Sequence, residues 1–316
     1  MLLIFTANDY NSKKKMSMAG TGIMTDTRTL LQQPYHHPQA VKHFLAHFGL
    51  VPRTPGLTFL ENILSRFSAL PYENLSKILK LNRHFLSLER IRLPEEVMED
   101  FARHHLGGTC FSLSYFLQSI LMQMGYNSHI VMADMGARQN VHCAVVVQLT
   151  EKKYLADPGY LLMQAMELHP DKSRLYRTPH TGVEVKFDRS REFYQLYTFD
   201  RQTIQLRYTF CDRPTPIGEF TGHWLASFYQ GTMHGICLTQ LRPDGLVYVH
   251  DNYLQVATPQ GKRKKRLQDD YYDVVSQLFA IEPELLERAQ LAMAENMELE
   301  QIHGLFRPKT VSTTNQ

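Results

Sequence analysis

A chain of 316 residues with 43% hydrophobic and 21% charged side chains holds enough apolar material for two or three small cored units and has the balance of an ordinary globular protein. A formal net charge of only +3 leaves no footprint of a dedicated nucleic-acid binder, and no apolar run reaches membrane-spanning length. Four cysteines (Cys110, Cys143, Cys211 and Cys237) follow no framework spacing and Met1–Phe5 is too short for a signal core, so a reducing, cytoplasmic location is expected.

Residues 1–35 are polar and turn-rich and read as a disordered or extended segment. A helical bundle is predicted over residues 36–128. Val41, Phe44, Leu45 and Phe48 recur at helical spacing before Gly49. A second helix runs from about Thr58 to Leu70, where Pro71 stops it, and a third follows Pro94. The fourth begins at Gly107-Gly108-Thr109-Cys110, with Leu113, Phe116, Leu117, Ile120 and Leu121 on its apolar side and Gly125 as its stop. Thr109 stands as its N-cap and Cys110 as its first residue, where free N–H groups and the helix dipole favour a thiolate. The Gly pair leaves room for a substrate to approach.

Residues 129–212 carry strand patterns at His129–Ala133, Val183–Phe187, Phe193–Tyr197 and Ile204–Tyr208, the makings of an antiparallel sheet or barrel. Between the first two lie Val141–Leu149 and Lys153–Asp157, which read as a hairpin. A turn centred on Thr150 and Glu151 makes His142 and Asp157 diagonal neighbours on one face and points Cys143 to the other. A thiol at a helix start, a strand histidine and a strand-end aspartate together form a candidate Cys110–His142–Asp157 constellation, with Asp157 holding the imidazole tautomer. Residues 213–316 form a third block: strands near 235–241, 246–250 and 253–257, a helix, then a polar tail. Trp224 reads as core, His104-His105 fits no standard zinc spacing, and Lys262–Arg266 reads as a solvated connection before the last helix.

These motifs resemble the arylamine N-acetyltransferase family. The likeness is carried by GGTCFSLSYFLQSILMQMGY from Gly107, VHCAVVV from Val141 and YLADPGY from Tyr154. Leu70–Leu75 is similar to the family's Pro-Phe-Glu-Asn-Leu motif, and the Pro243-Asp244-Gly245 turn resembles its C-terminal segment. The resemblance implies an α+β fold: a helical bundle carrying the cysteine, a central antiparallel β-barrel or sheet, and a C-terminal α/β lid. It implies acetyl-CoA or another acyl-CoA as cosubstrate, no permanently bound cofactor or metal, and an arylamine, arylhydroxylamine or hydrazine acceptor. Tyr72, Glu73, Gly107, Gly108 and Thr109 would then border the substrate. The chain departs from the family at Leu106, where arginine is usual, leaving Arg103 as the conjectured partner of Glu73, and at Ser112 and Asp157-Pro158-Gly159-Tyr160-Leu161. An amide synthase or transglutaminase-like hydrolase would use the same three residues, and a non-catalytic binding module would use none.

Overall fold

The computed structural model describes residues 33–84, 87–178, 181–200 and 203–304. The segment expected to be extended over residues 1–35 lies mostly outside these; at its described end, Pro34–His36 form a 3-10 turn that buries Pro34.

Five helices come first: α1 (Pro38–His47), α2 (Leu57–Phe67), α3 (Leu75–Arg83), α4 (Pro94–His104) and α5 (Cys110–Gln123), with the two-residue strand β1 (Tyr72–Glu73) between α2 and α3. Helix α1 buries Ala40, Val41, Phe44 and Leu45 and is followed by Gly49 at a left-handed φ of +63°. Helix α5 is the hub. Leu113, Phe116, Leu117, Ile120 and Leu121 are all fully buried. Each such side chain contributes about 1.5–3 kcal/mol relative to exposure, which fixes the helix and therefore its first residue, Cys110. Helix α3 escaped the sequence reading because it is only nine residues long and its buried residues include Ser76 and Lys77 beside Leu75 and Ile78.

An antiparallel sheet of eight strands packs against α5: β2 (Asn127–Met135), β3 (Arg138–Leu149), β4 (Lys152–Ala156), β5 (Met166–Leu168), β6 (Arg174–Arg177), β7 (Gly182–Asp188), β8 (Phe193–Phe199) and β9 (Ile204–Phe210). The order is β5-β4-β3-β2-β9-β8-β7-β6. Its two ends meet, and Arg174 of β6 donates to Glu167 of β5 at 2.9 Å, so the sheet nearly closes into a barrel. Strand β3 divides two cores. Cys143, Val145 and Val147 face the helices, while Ala144 and Val146 face the barrel interior.

Helix α6 (Ile217–Ala226) leads to strands β10 (Cys237–Arg242), β11 (Gly245–His250), β12 (Tyr253–Thr258) and β13 (Gly261–Arg266). Trp224 is buried among Phe111, Tyr115 and Phe220, as expected of core. The basic run Lys262–Arg266 is an exposed edge strand paired to β12, not a connection; charged side chains on an edge discourage further strand pairing. Strand β1 closes the other edge of this sheet, with Tyr72 opposite Thr239 and Glu73 opposite Leu238. Helix α7 (Tyr271–Phe279) follows, and where a polar tail was expected the chain forms the 20-residue helix α8 (Pro283–Ile302). Among the described residues no helix is long and apolar enough to cross a membrane.

Candidate active site

Cys110 opens α5 directly beneath the loop that carries the Gly pair. Thr109 occupies the N-cap position with extended backbone, but its side chain makes no capping hydrogen bond. Its carbonyl instead accepts from the Leu113 N–H at 3.0 Å and the Ser112 hydroxyl at 3.2 Å. The expected side-chain cap is therefore absent, and no cap competes for the first-turn N–H groups beside the sulfur.

The hairpin turns on Thr150 and Glu151, because Leu149 pairs with Lys152. Val145 opposite Ala156 then sets His142 and Asp157 diagonally across the ladder. Asp157 Oδ2 lies 2.9 Å from His142 Nε2, and both residues are buried. With Nε2 committed to the carboxylate, Nδ1 is the ring nitrogen left to meet the thiol, and the His142 ring and Cys110 stand close enough that a single Cβ on Gly159 would touch both. Burial alone would push this imidazole down; the Asp157 charge and hydrogen bond and the adjacent sulfur outweigh it and hold its pKa at about 10. The Cys110 thiol is held well below its ordinary value by a hydrogen bond from Cys143, which together with the His142 hydrogen bond and charge and the Lys77 ammonium overcomes burial. An imidazolium–thiolate pair is the state these shifts favour near neutral pH.

Several members of this cluster were given no part in it by the sequence. Tyr208 donates its hydroxyl to Asp157 Oδ2 at 2.5 Å, and its ring lies 4.7 Å from the His142 ring. The Tyr160 N–H donates to Asp157 Oδ1 at 3.1 Å, and the Tyr160 ring meets His142 edge-on. Gly159 is a close fit: a Cβ there would lie 2.8 Å from His142 Cε1 and 3.0 Å from Cys110 Cβ. Cys143 does point away from His142, as strand alternation requires, yet α5 packs on that face and brings its thiol to Cys110. Lys77 is buried without a carboxylate partner among the described residues; its ammonium donates to Ser227 Oγ at 2.6 Å and to the Ser227 carbonyl at 3.0 Å. It also stands 5.9 Å from the ring centroid of Phe111, the neighbour of Cys110.

The wall around the Gly pair is built by Pro71–Glu73. The Gly108 N–H donates to the Pro71 carbonyl at 3.2 Å, and the Glu73 N–H donates to the Gly108 carbonyl at 3.0 Å. A Cβ on Gly107 would come within 2.0 Å of the Pro71 oxygen, and one on Gly108 within 2.2 Å of Ser112 Oγ, so a side chain would displace backbone at the first and the Ser112 hydroxyl at the second. Tyr72, half-buried, forms an isolated parallel bridge with Gly108, two residues ahead of Cys110, and its phenol is pushed up by burial and then by the Cys110 and Cys237 thiols. Glu73 is turned inward: its carboxylate accepts from the Ser76 hydroxyl at 2.6 Å and the Ser76 N–H at 2.9 Å, which makes it an anchor of the wall rather than a surface for substrate.

The expected partnership of Glu73 with Arg103 does not form. Arg103 is exposed and pairs with Glu99. Arg92 takes its place, buried, reaching Gly107 O at 2.6 Å, Ser76 Oγ at 2.7 Å, Asp100 Oδ2 at 2.6 Å and Glu73 Oε1 at 3.4 Å. An arginine just ahead of α4 thus fills, from the side, space next to the Gly pair. The only sequence cue was a lone cation between Ile91 and Leu93.

A family model described as N-acetyltransferase matches residues 56–287. Comparison with the curated proteins finds no significant match. Among solved structures, arylamine N-acetyltransferase from Salmonella typhimurium superposes with a TM-score of 0.66 at 17% identity, covering 82% of this chain and 100% of its own. The enzyme from Mycobacterium abscessus gives 0.68 at 17% identity over 80% of this chain and 94% of its own. A Bacillus cereus relative, described as having a Cys-His-Glu catalytic triad, gives 0.59 at 19% identity over 77% of this chain and 98% of its own. With the helical bundle, the nearly closed barrel and the family model in agreement, the chain belongs to the arylamine N-acetyltransferase family as a divergent member.

Proposed function

We propose that this acetyltransferase moves an acetyl or other acyl group from acyl-CoA, through a thioester on Cys110, to an arylamine, arylhydroxylamine or hydrazine. The observation that carries this reading is the His142 imidazole, bonded to Asp157 through Nε2 at 2.9 Å and standing beside Cys110 across Gly159.

The Cys110 thiolate attacks the thioester carbonyl of the donor. The developing oxyanion takes hydrogen bonds from the uncapped start of α5, beginning with the Cys110 N–H. The carbon–sulfur bond to coenzyme A breaks, and the His142 imidazolium supplies the proton to the departing thiolate. The amine then attacks the acyl-cysteine carbonyl. His142, now neutral, takes the proton from the attacking nitrogen, the amide leaves, and the thiolate–imidazolium pair is restored. Asp157 keeps the ring in its tautomer and stabilises the imidazolium, with Tyr208 and the Tyr160 N–H satisfying the carboxylate. Tyr72, with Gly107, Gly108 and Thr109, borders the acceptor, and the Tyr72 hydroxyl offers it a polar contact.

Two half-reactions sharing one thioester give ping-pong kinetics. Intact mass after exposure to acetyl-CoA should rise by one acetyl group on Cys110, and an added arylamine should remove it. Absence of any adduct across several acyl-CoAs would instead favour a hydrolase using the same residues.

A further inference from the structure

Cys143 takes no step in this chemistry, yet its side chain projects from β3 into the same helix-side core as Cys110, and its thiol is the first of the groups that hold the Cys110 thiol low. Independent packing brings them together. The Ser114 hydroxyl donates to the Cys143 carbonyl at 3.1 Å, and Ser114 stands one helical turn beyond Cys110 on the same face of α5. The backbone of β3 is thus clamped to the helix face from which Cys110 projects. Both cysteines are free, and they differ in access: Cys110 is 6% exposed and Cys143 is fully buried.

We propose that Cys110 and Cys143 are a modification site for hydroperoxides, closing to a reversible disulfide. A reactive thiolate that a small oxidant can reach, poised beside a sheltered second thiol, is the arrangement of a peroxide-reactive cysteine and its resolving partner. The Cys110 thiolate attacks one peroxide oxygen, the O–O bond breaks, and Cys110 becomes a sulfenic acid. The hydroxide or alkoxide released takes a proton from the His142 imidazolium. The Cys143 sulfur then attacks the sulfenic sulfur. An S–S bond forms, and the hydroxyl of the sulfenic acid leaves as water with the Cys143 thiol proton. Each cysteine gives up one electron and the peroxide takes two. The product removes the nucleophile until a dithiol reduces it, and prevents further oxidation of Cys110 to a sulfinic acid, which thiols do not reverse.

The test treats the full chain with hydrogen peroxide and reads intact mass and peptide maps with and without reductant. The expected result is loss of two hydrogens, a linked pair of peptides containing Cys110 and Cys143, and full return of both thiols on dithiothreitol treatment. In Cys143→Ala and Cys143→Ser the same exposure should drive Cys110 to sulfinic acid with no recovery. Sulfinic acid on Cys110 of the unaltered chain, with Cys143 still a free thiol, would overturn the proposal, and that measurement needs no variant to fold. The outcome is also separable from acyl transfer, because no donor is present. A linked pair that forms in a chain no acyl-CoA can acylate would sustain the disulfide and reject the proposed donor chemistry.

Discussion

At the scale of single residues the site is a set of close fits around one sulfur. Gly159→Ala places a Cβ between His142 and Cys110, where only 2.8 and 3.0 Å are available. Misplacement of reacting groups by about 1 Å costs on the order of 10²-fold in rate, so kcat/KM for acyl transfer should fall about that far while the thermal midpoint stays near that of the unaltered chain. Steady-state kinetics beside a melting curve checks both. The Cys110 thiol, held low mainly by the Cys143 hydrogen bond and then by His142 against its burial, should react with iodoacetamide well below the ordinary thiol pKa of about 8.5. A pH profile of alkylation with a single step near that ordinary value would reject the ion pair. Lys77 adds a buried positive charge to the same balance and is itself pulled down to about 8, chiefly by burial. Lys77→Met should shift the alkylation profile toward higher pH, an effect that a purely packing role would not produce. Of these residues the sequence exposed Cys110, His142 and Asp157, because a thiol at a helix start and a histidine and aspartate across a hairpin have recognisable local settings. Tyr208 and Lys77 were hidden because their importance comes from neighbours far away in the chain.

At the scale of elements, the wall of the site hangs on Arg92, which ties α4, the Gly pair and the start of α3 together. Arg92→Ala leaves the Gly107 carbonyl and the buried Glu73 carboxylate without their cation. Removing one partner of a buried pair costs about 3–5 kcal/mol. Arg103→Ala, on an exposed residue paired only with Glu99, should stay within about 0.5 kcal/mol. Urea unfolding of the two variants decides between the observed partner and the one that the sequence suggested. The helices with clean apolar stripes, α1, α2 and α5, were legible in sequence to within a few residues. Helix α3 was not, since its buried face is partly polar, and α8 was not, since its charged residues outnumber the few apolar ones that matter. Those few are decisive: Leu286 and Ala289 are fully buried, and the Asn296 side chain donates to the Ile78 carbonyl of α3 at 3.1 Å.

At the scale of the whole molecule, three layers converge on one corner: α5 brings the thiol, the barrel brings the imidazole and carboxylate, and the C-terminal sheet steadies the Tyr72 segment through β1. The site charges also couple to global stability. An imidazole at about 10 in the folded chain, against about 6.5 when unfolded, stabilises the fold fully below about pH 6.5 and loses that contribution as pH rises through about 10. The Cys110 thiol, depressed on folding, acts with the opposite sign, so the comparison belongs in a Cys110→Ala background, where Asp157 still raises the imidazole. There, the stability advantage of His142 over His142→Gln should shrink between pH 7 and 10 in thermal unfolding. The sequence by itself brought Cys110, His142 and Asp157 into one candidate constellation and set the alternation of helix-rich and strand-rich blocks, because periodicity and hairpin register are set by residues close together along the chain. Only the tertiary structure decided that Arg92 and not Arg103 serves Glu73, that Tyr208 completes the Asp157 shell, and that Cys143 lies against Cys110. Those pairings join segments that local propensity does not relate, and they form where α5 packs against the neighbouring helices and against β2 and β3.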